Sequence, residues 1–173
     1  MKGKKMKSLK YTVVFVMYAS VCFAQPNTDL LNETISRIQA KTQIGISFVE
    51  YRNEIQNLQH EFNKYKRDAD KWLDQDPSDE LRKKEFFKYL SYDMIMIRHR
   101  CALTTWDYKF AVQDDWMPIE SAGEFWTELI KNHPQFDVKK NKKQIKGKKY
   151  VKIEAVIQMF WLDIDGEIKR LGM

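Results

Sequence analysis

IGISFVEYRNEIQNLQHEFNKYKRDADKW, residues 44–72, decides the architecture. Ile44, Phe48, Tyr51, Ile55, Leu58, Phe62, Tyr65, Ala69 and Trp72 follow one another here at alternating spacings of four and three. An α-helix turns once every 3.6 residues, so such a repeat keeps one apolar stripe on one face over about four heptads and requires a partner alongside. Upstream, Leu31, Ile35 and Ile38 belong to a stripe shifted by one position. The shift falls around Thr42 to Gly45, where a glycine that costs about 1 kcal/mol in a helix interior predicts a bend or break.

Downstream, DQDPSDE at residues 74–80 reads as a stop followed at once by a start. Asp76 suits an N-cap and Pro77 a first helical position, because proline lacks an N–H that would have no partner there. Asp79 and Glu80 favour the positive end of the new helix dipole. The second helix has its own apolar series at spacings of three and four: Phe87, Leu90, Met94, Ile97, Cys101, Thr104, Tyr108 and Ala111. So short a connection predicts an antiparallel hairpin over residues 28–113, on the order of 45 Å long. Pro118 is expected to open a third helix over residues 118–132, with Ile119, Ala122, Phe125, Trp126, Leu129 and Ile130 on its apolar side, ended by His133-Pro134.

Beyond Pro134 the composition changes. Residues 131–152 hold nine lysines against the single acid Asp137. Alternation of Val151, Ile153, Ala155 and Ile157 with Lys152, Glu154 and Val156 suggests a strand, and Asp165-Gly166 before Glu167 to Leu171 is a two-residue hairpin signal. A small antiparallel C-terminal sheet is therefore expected within residues 136–173, a helix over 149–162 being the competing reading. The fold class is mainly α within α+β: a long helical hairpin, a third helix and that sheet, in one domain over residues 25–173.

Met1 to Lys10 carries five lysines and no acid, ahead of the 14-residue apolar run Tyr11 to Ala24. The run is short of the roughly 20 residues that cross a bilayer, and small residues precede Gln25, so residues 1–24 read as a cleaved signal peptide, with a retained anchor as the alternative. Cleavage would lower the net charge from +6 to +1. A nucleic-acid partner argued from global charge then loses its basis. It would also leave Cys101 without a disulfide partner, a small side chain on an apolar helical face.

Specific catalytic patterns are missing. His60, His99 and His133 are far apart and lack ligand-spaced companions, so neither a metal nor another cofactor is expected. Asp163-Ile164-Asp165-Gly166 has the opening of a calcium loop without its later ligands. Asp107, Asp114, Asp115 and Glu120, beside Trp106, Tyr108, Trp116, Phe125 and Trp126, offer the paired acids and aromatic platforms of a glycan hydrolase, although acids near helix ends commonly cap them. The strongest local feature is Lys139, Lys140, Lys142, Lys143, Lys146, Lys148 and Lys149, able to hold an acidic protein partner or to protect a sheet edge. The expectation is an exported, periplasmic or secreted, non-enzymatic protein that binds and sequesters or inhibits a protein partner. An envelope-assembly or chaperone-like helical protein that self-associates, and a cell-wall glycan hydrolase, are the alternatives.

Overall fold

A computed structural model describes residues 25–122, 131–132 and 140–173. The expected signal peptide therefore lies outside the described residues. Among the described residues, four full-length helices surround a single apolar core: α1 (Asp29–Ile44), α2 (Phe48–Leu73), α3 (Asp79–Val112) and α4 (Ile153–Arg170). Three short strands, β1 (Trp116–Pro118), β2 (Lys142–Ile145) and β3 (Lys148–Lys152), form an antiparallel sheet in the order β1-β3-β2. The fold is thus mainly α with a small sheet near the C-terminus.

The break between α1 and α2 falls at Gly45, whose φ of 100° lies where L side chains are strained. Ser47 then starts α2 with a capping box. Its hydroxyl accepts from the Glu50 amide at 3.3 Å, while its own amide donates to the Glu50 carboxylate at 3.2 Å. From Phe48 onward the α2 stripe points inward as its spacing predicts, and Tyr51, Ile55, Leu58, Phe62, Tyr65, Ala69 and Trp72 are buried. Each large apolar member contributes about 1.5–3 kcal/mol by leaving water. Ile44, the first member of the series, ends α1 and is exposed.

The two long helices pair antiparallel. Phe48 meets Trp106 and Phe110, Tyr51 meets His99, Phe62 meets Tyr89, and Tyr65 meets Tyr92. At 26 and 34 residues they run for about 39 and 51 Å at 1.5 Å per residue. The rotation of α3, however, differs from the sequence expectation. Its buried face carries Glu85, Tyr92, Ile95, Met96, Arg98, His99, Ala102 and Thr105, whereas Phe87 and Leu90 are exposed and Met94, Ile97 and Cys101 only partly covered. The start of α3 also shifts: Ser78, not Asp76, is the N-cap residue. Asp76 has a φ of 56° and completes the turn out of α2, and the Arg82 guanidinium ties the corner by donating to the Pro77 carbonyl and the Asp76 carboxylate.

Pro118 does not open a helix. It ends β1 on an outer strand, where a missing N–H is tolerated, and a 3-10 turn, Ile119–Ala122, follows. Lys131 and Asn132 are helical; the rest of the expected third helix, residues 123–130, lies outside the described residues. The strands expected across residues 153–171 are replaced by α4. Ile153, Val156, Ile157, Phe160, Ile164 and Ile168 are all buried at helical spacing, a periodicity longer than the five-residue alternation that resembled a strand. Asp165-Gly166 therefore lies inside a helix. The hairpin turn is instead Lys146-Gly147, both with positive φ, as a two-residue turn closing Ile145 against Lys148 requires.

α4 lies against α3 and also meets α1, where the Gln39 amide donates to Asp165 at 3.0 Å. The middle of the bundle is bound by polar contacts as well as packing. Arg98, almost fully buried, pairs with Asp163. Glu54 accepts from Arg37 at 3.0 Å and from Lys41 at 2.8 Å, joining α1 to α2. Burial alone would raise the Glu54 carboxyl, but those two cations hold it below its ordinary value.

Candidate binding surface

The lysine segment folds into the β2–β3 ribbon, and its register sorts the lysines by face. Val151 and Met117 pair across β3 and β1 and are buried, so their side of the sheet faces the core. Alternation along each strand puts Lys142, Gln144 and Lys149 on that inner side, where the ribbon extends past the core and leaves them exposed. The outer side carries Trp116 and Pro118 from β1, Lys143 and Ile145 from β2, and Lys148, Tyr150 and Lys152 from β3. Lys146 lies in the turn and Lys140 precedes β2; Lys139 falls outside the described residues. Lys142, Lys143, Lys146, Lys148 and Lys149 are thus divided between two faces and a turn.

The outer face combines cations with aromatic rings. The Lys143 ammonium sits 4.3 Å from the Trp116 ring centroid and 5.8 Å from that of Tyr150. An ammonium over a ring face gains about 0.5–1 kcal/mol at an exposed site and holds the long side chain in place. Lys148, Tyr150's neighbour by two-residue alternation with Lys152, extends the basic row. Asp115 lies at the rim: it accepts from Lys109 at 2.8 Å, and that bond, reinforced by Lys152 and Lys143, holds its carboxyl below the usual value. Lys152 also reaches Glu154 at 3.6 Å.

Three of the four acids considered for hydrolysis, Asp107, Asp114 and Asp115, are engaged otherwise. Asp107 pairs with Arg52 at 2.6 Å, Asp114 accepts the Trp116 amide at 3.1 Å, and Glu120 is exposed on the 3-10 turn. A general acid needs a raised carboxyl pKa. Asp115 has the opposite shift. Lys109, Phe110, Gln113, Asp114 and Asp115 line an open groove of about 430 Å³.

His99 is deeply buried in the bundle. Its Nδ1 lies 2.8 Å from the Tyr51 hydroxyl, which accepts from the Trp161 indole at 3.1 Å. The same hydroxyl lies 3.5 Å from the His99 carbonyl, and Nε2 of the imidazole has no partner among the described residues. Burial lowers the His99 pKa to about 3 and pushes the Tyr51 hydroxyl above its ordinary value. The group is a neutral structural link between α2, α3 and α4. His60 is exposed on α2, and His133 lies outside the described residues. Cys101 is half-buried against the core with its thiol pushed up by burial, a shift opposed by Arg98 and Arg100. Among the described residues, no three His, Cys, Asp or Glu side chains come together as a metal site, and no helix is long and apolar enough to cross a membrane.

The hairpin tip holds residues that the sequence reading assigned to an internal interface or passed over. Leu73, Leu81, Phe86, Phe87 and Leu90 are exposed there. Ala69, Leu73, Phe86 and Tyr89 floor a groove of about 380 Å³ between α2 and α3, edged by Lys66, Asp70, Arg82 and Glu85. The adjacent Phe86-Phe87 pair at the start of α3 was the available signal, since one helix face cannot bury both.

No protein family, curated protein or solved structure matches this chain.

Proposed function

We propose that this chain is an exported, non-enzymatic binding protein whose partner is a protein with an acidic docking face. The observation that supports this reading is the Lys143 ammonium held over Trp116 beside Tyr150, in a row with Lys148 and Lys152 on the outer side of the sheet. Aromatic rings supply contact area at low entropic cost, and clustered cations speed encounter with an acidic surface. Export is inferred from the lysine-rich start and short apolar run of residues 1–24. Sequestration or inhibition of the partner is the role that such a surface suits without catalytic groups.

The test is capture of the partner from the source cell envelope by the wild-type protein and by a Lys143→Glu/Lys148→Glu/Lys152→Glu variant. Capture should be lost in the variant and should weaken with rising salt. Lys146→Glu/Lys149→Glu, placed on the turn and the inner side, should retain it. Equal loss in both variants would reduce the effect to net charge, and equal retention would remove the sheet face from the function.

A further inference from the structure

The residues that follow the expected leader are anchored almost from the first. Pro26 and Thr28 are buried, whereas Gln25 is exposed. The Thr28 carbonyl accepts the Asn32 amide at 2.8 Å, opening α1, and the Tyr92 hydroxyl of α3 donates to the Asn32 side chain at 2.6 Å. Between the two buried residues, Asn27 accepts the Asp29 amide at 2.7 Å. Gln25 therefore stands directly ahead of the fold, at the rim of an open cavity of about 450 Å³ between α1, α3 and the end of α4. The lining holds Lys84, Lys88 and Arg170 against the buried Glu85, and Arg170 is already paired with Glu167.

A cut after Ala24 frees the α-nitrogen of Gln25, and the glutamine side chain supplies its own electrophile. The uncharged amine attacks the side-chain Cδ: a bond from the α-nitrogen to Cδ forms, the bond from Cδ to Nε2 breaks, and a proton of the amine leaves with Nε2 as ammonia. Amine and amide belong to one residue and close an unstrained five-membered ring, so proximity favours the step and no oxidant, reductant or second substrate enters it. The exposure of Gln25 leaves both reacting atoms open to a catalyst in the envelope. The product is a neutral lactam, which places no ammonium beside Lys84 and Lys88. Pro26 gives the ring a purpose. Exopeptidases that release a dipeptide after a penultimate proline grip the free ammonium, and here they would take Gln25 together with the buried Pro26 and bring the cut end to Asn27, next to Thr28.

We infer that Gln25 is a modification site: the exported chain begins with Gln25 closed to a pyroglutamyl lactam, which seals an N-terminus that has no spare residues ahead of the fold. The inference rests on the reading of residues 1–24 as a leader cut after Ala24, and goes beyond it in assigning the fate of the new terminus.

The test is intact-mass measurement, with fragmentation of the N-terminal peptide, on protein freshly purified from the source cell envelope. A Gln25→Asn variant is measured beside it, because the shorter side chain could close only a strained four-membered ring. The wild-type protein should begin at residue 25 and be lighter than its linear chain by one ammonia, whereas the variant should keep its full linear mass. A dipeptidyl peptidase specific for penultimate proline should leave the wild-type protein intact and remove residues 25 and 26 from the variant. A linear Gln25 in fresh protein overturns the inference and leaves the export reading standing, as does a lactam that accumulates only on storage, or a cut at a different residue. A chain that retains residues 1–24 overturns both. Equal resistance of the two proteins to the peptidase overturns the sealing role.

Discussion

Midway along their length, α2 and α3 are flanked by α1 and α4; at their tip they have mainly each other. In the middle, most apolar side chains of the facing stripes are covered and several buried polar ones are paired: Tyr51 with His99 and Trp161, Arg98 with Asp163, Glu54 with Arg37 and Lys41. At the tip, Leu73, Leu81, Phe86, Phe87 and Leu90 face outward from the same two helices. The helices are continuous across both regions, so the difference lies in what surrounds them. Burial is concentrated where four helices meet, and the tip keeps apolar side chains in contact with solvent.

The largest effect expected from breaking this contrast comes from Arg98→Ala, which strands the Asp163 carboxylate in the bundle. A loss of about 3–5 kcal/mol in denaturant unfolding is expected. Replacing both partners, Arg98→Met with Asp163→Leu, should cost much less; equal losses would show that the pair does not act as a unit. Leu58→Ala, in the α2 stripe, should remove about 2–5 kcal/mol through lost burial and the cavity left behind.

Acid sharpens the comparison next. His99 stays neutral in the fold down to about pH 3, whereas the unfolded chain takes up its proton near 6.5. Its folded pKa is lowered, so stability is complete above about pH 6.5 and falls by about 1.4 kcal/mol per unit as the pH drops from there toward 3. Unfolding curves at pH 7 and pH 5 should thus differ by about 2 kcal/mol, and His99→Gln should remove that difference. Glu54, whose carboxyl is held low, acts later: its contribution is present above the ordinary carboxylate pKa and is lost only below it. Smallest of all is the tip. Phe86→Ser should change stability by less than about 0.5 kcal/mol, since the side chain is exposed. A loss of 2 kcal/mol or more would mean that the tip belongs to the folding core after all.

How much of this was legible depends on how far each helix's periodicity constrains its rotation. α2 has one apolar stripe and no competitor, so its buried face could be read directly. α3 has Met94-Ile95-Met96-Ile97 in succession and Phe86 beside Phe87, and so offers several rotations. The inward one is chosen by Glu85, Arg98 and His99, polar residues whose partners, Tyr65, Asp163 and Tyr51, lie on other helices. Those pairings are not visible along one chain segment. At α4 a short β-branched alternation and an Asp-Gly pair concealed a helical stripe whose value emerges only against α3. The lysine segment was visible as composition, but its division into faces needed the register of β2 on β3.

One consequence of the closed bundle concerns kinetics. Gln39 on the first helix bonds Asp165 on the fourth, across 126 positions of chain. The helices themselves are local structures that form within microseconds, but uniting elements so distant requires a large loop to close before the reward of contact is gained. Refolding should accordingly be slower than for a helical bundle held together by neighbour-to-neighbour contacts alone, and Gln39→Ala, by weakening the contact that joins the distant helices, should hasten unfolding more than it delays folding if that contact forms after the barrier.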